Sequence, residues 1–343
     1  MQSLVFIMRK QLFTVGLLLC MFGKATAQSS NILDTVYTLR DGQATATMPV
    51  RVIKGIEPGP TFAIVAGIHG YEYPPIMATQ QIMQSIDPAK LHGILIFVPL
   101  ANTAAFYGRT PFLNPIDQKN LNNAFPGKKK GTITEQIAYT LRTEVMDISD
   151  YFLDIHAGDA NENLLPFACF YNNTLFPAQT KAAEELCRIA GFEYVVSYPY
   201  TLQPTDPAKY AFKQASQQGI VALSLEAGEL GNVQASNVQL LQQAVMNMLQ
   251  HVNMYPSSQS LASPTIKMLR NQSYVRVPVQ GIFTSSIQAG DAVQQGQTLG
   301  HIHDVFGKLL ATITAPNSGI VLYKIGTPPV NEGETLFCIG TEE

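Results

Sequence analysis

The stretch AGIHGYEYPP (66–75) sets His69 and Glu72 three residues apart in a glycine-flanked break that directly follows an apolar run. Two more ionisable groups follow apolar runs in the same way, His156 in DIHAG and Glu226 in SLEAGELG. Neutral imidazole and carboxylate suit zinc, and two histidines with one glutamate leave the fourth position to water, as a catalytic rather than a structural site does. Zinc brings the pKa of such a water toward about 7, and Glu226 is the carboxylate left over to take its proton. Asp154 precedes His156 by two residues, so on a strand both project to one face, and Asp154 becomes a candidate acceptor to orient an imidazole. Arg109 is the sole arginine of the Asn-, Pro- and Gly-rich connection ANTAAFYGRTPFLNPIDQKNLNNAFPG (101–127). A connection of that length inside a compact domain is usually functional, and its arginine is suited to polarising a carbonyl or stabilising an oxyanion.

Each residue has a plainer reading when taken alone. His69 beside glycines suits a turn, His156 suits a satisfied core histidine, Glu226 a helix cap, Asp154 an edge-strand acid and Arg109 a surface cation. Their joint occurrence at several strand ends favours a site, because the loops leaving the carboxyl ends of buried strands are where α/β proteins place their chemistry.

The elements that must position these side chains are legible as alternating apolar runs and amphipathic stretches between 61 and 226, the pattern of an α/β sheet with helices on both faces. TFAIVAG (61–67), GILIFVPL (93–100), DYFLDIHAG (150–158) and GIVALSLEAG (219–228) read as buried strands. TITEQIAYTLRTEV reads as a helix opened by a Thr132/Glu135 capping box, with Ile133, Ile137, Leu141 and Val145 on one face. DPAKYAFKQASQQ reads as a helix with Asp206 as N-cap and Pro207 in its first turn. A last helix near 237–253 carries Val238, Leu241, Val245, Met248, Leu249 and Val252 as its apolar stripe.

After a Pro/Ser linker, YPSSQSLASPT (255–265), short alternating runs with Gly and Asp turns predict a small all-β domain over 266–343. AGDAVQQGQTLG followed by APNSGIVLY resembles the hammerhead of biotinyl and lipoyl carrier domains, but the intervening hairpin has only Lys308 and no carrier motif around it. His301 and His303 alternate there as HxH without a third ligand nearby; His92, His251 and the KKK run at 128–130 read as structural or solvated.

The 343 residues, 46% hydrophobic, suffice for a large core. Residues 1–27 read as a secretory signal peptide: Arg9 and Lys10, an apolar run of about 12 residues, too short to span a membrane, and ATA (25–27) as cleavage site. Cys20 lacks the small residues before it that lipoprotein processing wants. The mature chain (catalytic domain 28–254) is then exported, to the periplasm or beyond a bacterial cell, with no membrane span. Losing Arg9, Lys10 and Lys24 moves the net charge from −3 to about −6, which gives a nucleic-acid partner no support. Cys169, Cys187 and Cys338 remain, enough for at most one disulfide. The oligomeric state is not legible.

HxxE in AGIHGYE, the loop with GR, NPID and LNNAFPG, then DIHAG and LEAG, in this order, resemble the succinylglutamate desuccinylase/aspartoacylase family of the zinc carboxypeptidase clan. The similarity extends into the small β domain. It implies a zinc carboxypeptidase-like α/β fold, one zinc held by His69, Glu72 and His156, Glu226 as general base and acid, Arg109 as carbonyl-polarising group, and Asn122 and Asn123 at substrate-binding positions. It also implies hydrolysis of an N-acyl amino acid or related small amide. The family's DLNRxFPG reads NLNNAFPG here: Asn120 replaces the aspartate and Asn123 the arginine. Asparagine supplies no bidentate cationic fork for a substrate carboxylate, so the expected substrate either lacks that group or is held otherwise. A carboxypeptidase acting on short peptides or cell-wall fragments would share the zinc, and a non-catalytic metal or ligand binder would not need Glu226.

Overall fold

The computed structural model describes residues 31–256 and 265–342. The expected signal peptide and most of the expected linker lie outside the described residues. No described helix is long and apolar enough to cross a membrane.

In chain order the first half contains β1 (Ile32–Asp41), β2 (Ala44–Lys54), β3 (Glu57–Ala66), α1 (Tyr73–Ser85), β4 (His92–Val98), α2 (Thr103–Gly108), α3 (Ile133–Thr140) and β5 (Tyr151–His156). Next come β6 (Glu162–Leu164), β7 (Phe167–Asn172), α4 (Pro177–Ile189), β8 (Tyr194–Pro199), α5 (Ala211–Gln217), β9 (Val221–Glu226) and α6 (Ala235–His251). The C-terminal part has β10 (Lys267–Leu269), β11 (Asn271–Arg276), β12 (Gly281–Thr284), β13 (Ala292–Val293), β14 (Thr298–His303), β15 (Leu309–Thr314), β16 (Gly319–Ile325), β17 (Pro329–Val330) and β18 (Thr335–Thr341).

The described residues form a nine-stranded mixed sheet in the order β1-β2-β4-β3-β5-β9-β7-β8-β10. The four strands expected from their apolar runs are its centre: β4, β3, β5 and β9 are mutually parallel. They read as continuous apolar runs because both faces are covered. Phe62 and Ile64 enter a core shared with α1, α4 and α6, whereas Ala63 and Val65 enter one shared with α3 and α5, as the period of two requires. The apolar stripe expected near 237–253 is α6, with Val238, Leu241, Val245, Met248 and Leu249 buried. The hairpin β1–β2 and the pair β7–β8 extend the sheet beyond those four strands.

Two helical expectations are revised. The segment from Thr132 is α-helical only to Thr140 and continues as a π-helical turn over Leu141–Val145; the Glu135 carboxylate does accept from the Thr132 N–H at 2.9 Å. Asp206 is not an N-cap, since the helix starts at Ala211. Asp206 instead closes a turn by accepting from the Gln203 N–H at 2.9 Å. Lys209, at φ +70, exchanges two backbone hydrogen bonds with Phe125, which holds the chain out of helical geometry until Tyr210.

The C-terminal strands make two antiparallel sheets, β11-β18-β16-β13 and β15-β14-β12-β17, around a core that includes Phe283, Leu299, Ile302, Val321 and Phe337. Strands cross between the two halves of the chain. The short β6 pairs antiparallel with β16, and β10 pairs parallel with β8. Leu322 and Cys338 of the C-terminal sheet share the same core as Ala63 and Val65, so that sheet lies against this face of the large sheet. Cys169, Cys187 and Cys338 are all buried free thiols.

Candidate functional site

The break after β3 turns on glycine. Gly67 has φ +70, and a Cβ on Gly70 would lie 2.2 Å from the Ala105 carbonyl carbon, so the loop carrying His69 and Glu72 lies directly on α2. Glu72 occupies the N-cap position of α1, yet its carboxylate makes no capping bond there. The prolines Pro74 and Pro75 explain this: they have no N–H to offer in the first turn. The carboxylate is thereby free to face the end of β5.

It does so with both oxygens. Glu72 Oε1 is 2.6 Å from His69 Nδ1 and Oε2 is 2.8 Å from His156 Nδ1, with the Ala157 N–H donating to Oε2 at 3.3 Å. The two imidazole rings are 5.3 Å apart between centroids. Both outer nitrogens meet acceptors: His69 Nε2 is 3.1 Å from Asn120 Oδ1, and His156 Nε2 is 3.1 Å from Asp154 Oδ2. With a metal held at the centre, protons on the Nε2 atoms would leave the Nδ1 lone pairs turned inward, the arrangement in which a ligand's second nitrogen fixes its tautomer. All three groups are buried. Burial works against charge in each, but the imidazoles outweigh it at Glu72 and draw its pKa down to about 2. In return the carboxylates of Glu72 and Asp154 raise His156.

Among the described residues these three are the cluster whose donor atoms can share one ion, all lying within 4.8 Å of one another. Two imidazole nitrogens and a carboxylate oxygen, each imidazole held from behind, fit zinc in both donor type and number.

Glu226 ends β9 directly opposite His156 in the parallel register. Because β5 and β9 alternate together, Asp154, His156, Ser224 and Glu226 all project to the face that the C-terminal sheet covers. Ser224 Oγ is 3.4 Å from Glu226 Oε1. Burial, aided by the carboxylates of Glu72, Asp154 and Glu162 and opposed by His156, pushes Glu226 up to about 8.

His69, Glu72, His156 and Glu226 open into one cavity of about 620 Å³, also lined by Asn122. Its far wall is C-terminal: Tyr274, Leu322, Tyr323, Glu334 and Cys338. Sequence reasoning missed that wall and also Glu162, Tyr171, Tyr198 and Tyr210. The alternation in FACFYN places Phe167, Cys169 and Tyr171 on one face, which was an available signal; nothing local points to the C-terminal residues.

Two expected residues are not brought to the cavity. Arg109 is exposed at the end of α2 in the left-handed conformation, φ 52, and Asn123 is exposed; neither lines the cavity. Asn122 does, with Nδ2 3.4 Å from His156 Nε2 and Oδ1 accepting from the Ala211 N–H at 3.3 Å. His301 and His303 stand on β14 with rings 6.1 Å apart, and no third ligand joins them among the described residues. His92 and His251 are exposed at element ends, as is Lys308 at a hairpin tip. Lys128, of the KKK run, pairs with Glu135 at 2.9 Å.

The N-alpha-acetyl-L-2,4-diaminobutyric acid deacetylase of Halomonas elongata is 27% identical over 299 residues, covering 85% of each chain. A succinylglutamate desuccinylase/aspartoacylase structure from Rhodobacter sphaeroides superposes with TM-score 0.80 at 24% identity, covering 91% of this chain and 95% of that one. The product-bound structure of the ectoine utilization protein EutE from Ruegeria pomeroyi gives TM-score 0.81 at 24% identity, covering 90% and 95%. At that identity the two structures establish a shared fold. The family model of the succinylglutamate desuccinylase/aspartoacylase catalytic domain matches residues 58–252, more than half the chain and all four strand-end residues, so this protein belongs to that family of deacylases acting on amide bonds.

Proposed function

We propose that this chain is an exported, zinc-dependent amidohydrolase that cleaves the amide of an N-acyl amino acid or a related small amide. The observation that carries the proposal is the seating of both Nδ1 atoms on the two oxygens of one buried carboxylate, at 2.6 and 2.8 Å, with a fourth ionisable group, Glu226, facing the same cavity. His69, Glu72 and His156 would hold one zinc ion, which when bound polarises a carbonyl and acidifies water. Asn120 and Asp154 keep the two imidazoles in the ligating tautomer. Glu226 takes a proton from the attacking water and returns it to the leaving amine nitrogen, the two halves of general base and acid catalysis at one carboxyl. The cavity positions the scissile amide between these groups.

Export rests on the basic, apolar and small-residue pattern of 1–27, and with it a location in the bacterial periplasm or outside the cell. We read 28–254 as the catalytic domain and 266–343 as a small β domain that completes the cavity.

The test is metal analysis of the purified protein together with an amide-hydrolysis screen of wild type and Glu226→Gln. One zinc per chain and turnover lost in the variant support the reading. Zinc bound with no Glu226-dependent turnover on any amide would leave a metal-binding protein without this activity.

A further inference from the structure

The cavity is unevenly charged. No lysine or arginine lines it, whereas four glutamates do: Glu72, Glu162, Glu226 and Glu334. A divalent ion held by His69, Glu72 and His156 would offset two of those charges. Glu334 is satisfied locally, accepting from the Asn331 N–H at 2.8 Å and from the Asn331 side-chain amide at 2.9 Å. Glu162 is not satisfied in this way. Its Oε2 accepts one N–H, that of Asp159 at 2.8 Å, and among the described residues no lysine or arginine pairs with it. Lys213 is held 4.9 Å from the centre of the Tyr171 ring and 5.9 Å from that of Tyr200, and it does not line the cavity.

A carboxylate largely withdrawn from water without a counter-charge is costly. Burial first, then the nearby Glu72 and Asp159, push the Glu162 pKa up to about 7. Glu162 stands on β6, the strand lent to the C-terminal sheet, in register with Ile325. The rest of the wall is rich in tyrosine, with Tyr171, Tyr198, Tyr210, Tyr274 and Tyr323 all lining the cavity. Aromatic rings beside an uncompensated carboxylate are the chemistry that receives an organic cation. An anionic side chain would meet repulsion with no lysine or arginine to offset it. The volume of about 620 Å³ is that of a site for a ligand well beyond a bare amide.

We propose that Glu162 and the tyrosine wall form a subsite for an ammonium group, so that the N-acyl compound processed here carries a cationic side chain in place of an acidic one. This deepens the hydrolytic reading and rests on it for the word substrate; the subsite itself rests on the cavity. Glu162 is thereby a specificity-determining residue that takes no part in breaking the bond.

The test compares zinc-loaded wild type, Glu162→Gln and Glu162→Asp on Nα-acetyl-L-lysine, N-acetyl-L-norleucine, which lacks the ammonium group, and N-acetyl-L-glutamate. Wild type is expected to favour the lysine derivative in kcat/KM by about tenfold or more over both others, the size of one charged hydrogen bond. That ratio should collapse toward unity in Glu162→Gln and recover in part in Glu162→Asp. Calorimetric binding of tetramethylammonium and L-lysine amide to the same proteins supplies a readout without turnover. Equal or better use of norleucine or glutamate derivatives by wild type, or a ratio unchanged in Glu162→Gln, overturns the proposal. Should Glu162→Gln not fold by circular dichroism, the wild-type ratio and Glu162→Asp decide. Ammonium binding that depends on Glu162 with no amide hydrolysed would sink the hydrolase and keep the subsite; hydrolysis without such binding would do the reverse.

Discussion

Glu72 and Glu226 are carboxylates in one cavity whose acidities are driven apart, to about 2 and about 8. Burial raises both, but Glu72 lies between two imidazoles that outweigh it, while at Glu226 His156 alone opposes burial and the carboxylates of Glu72, Asp154 and Glu162 add to it. Carboxyl groups separated in this way suit different roles; on the proposed hydrolytic reading Glu72 is the anion and ligand and Glu226 the proton carrier. Glu226→Gln is therefore expected to lower kcat by about 10²–10⁴-fold while zinc content per chain stays the same, as measured by elemental analysis beside steady-state kinetics. Glu162 gives a pH prediction on the metal-free protein. Its folded-state pKa of about 7 is above the ordinary 4.5, so its contribution is full below pH 4.5 and is lost as pH rises through about 7. Glu162→Gln should then be more stable than wild type by roughly 1–3 kcal/mol near pH 8.5 and close to it near pH 4.5, measured by denaturant unfolding; equal stability at both pH values would contradict the burial argument. At this scale His69, Glu72, His156 and Glu226 were legible, because a polar side chain at the end of an apolar run has few other reasons to be there. The directions taken by Arg109 and Asn123 were not, since they depend on a loop whose path is set by contacts with distant elements.

At the scale of elements, the break between β3 and α1 does the positioning. Gly70 lets the loop press on α2, and Tyr73-Pro74-Pro75 begins a helix that asks nothing of Glu72. Gly70→Ala would put a methyl 2.2 Å from a backbone carbonyl carbon, an overlap that no side-chain rotation relieves. The expected outcome is a loss of about 1–3 kcal/mol of stability and a clear drop in zinc affinity, followed by thermal unfolding and by competition with a chromophoric chelator. Unchanged affinity would mean the loop does not set the ligands. The central strands and the long helix α6 were readable because periodicity and length agree over many residues. The helix expected at Asp206 failed for a nonlocal reason: the paired backbone of Phe125 and Lys209 outcompetes a cap worth about 1 kcal/mol. The pair β7 and β8 was missed because apolar runs as short as FACFY are too brief to separate a buried strand from a buried helical segment.

In the whole molecule the two sheets are joined by exchanged strands, β6 into the C-terminal sheet and β10 into the large one. That exchange could not be foreseen, because a three-residue strand has no periodicity and its partner is over 150 positions away. It also means that the C-terminal part is more than an appendage. Leu269, Leu322 and Cys338 are buried in the core that holds Ala63 and Val65, and Tyr274 and Tyr323 close the cavity. Ending the chain after residue 254 would uncover Cys169, Phe167 and Tyr194, now buried there, at about 25 cal/mol per Å² of apolar surface returned to water. It would also leave β8 as an unpaired edge, a template for association. A chain of residues 28–254 is thus expected to bind a hydrophobic dye, to unfold at lower temperature than residues 28–343 and to associate on concentration. The proposed metal ligands, all contributed before residue 157, would remain in sequence but open to solvent. Its hydrolysis of small amides should fall even where zinc is still bound, because the walls that hold the amide against Glu226 are gone. A truncated chain that stays monomeric, binds no dye and keeps full turnover would show that the C-terminal sheets neither complete the core nor the cavity.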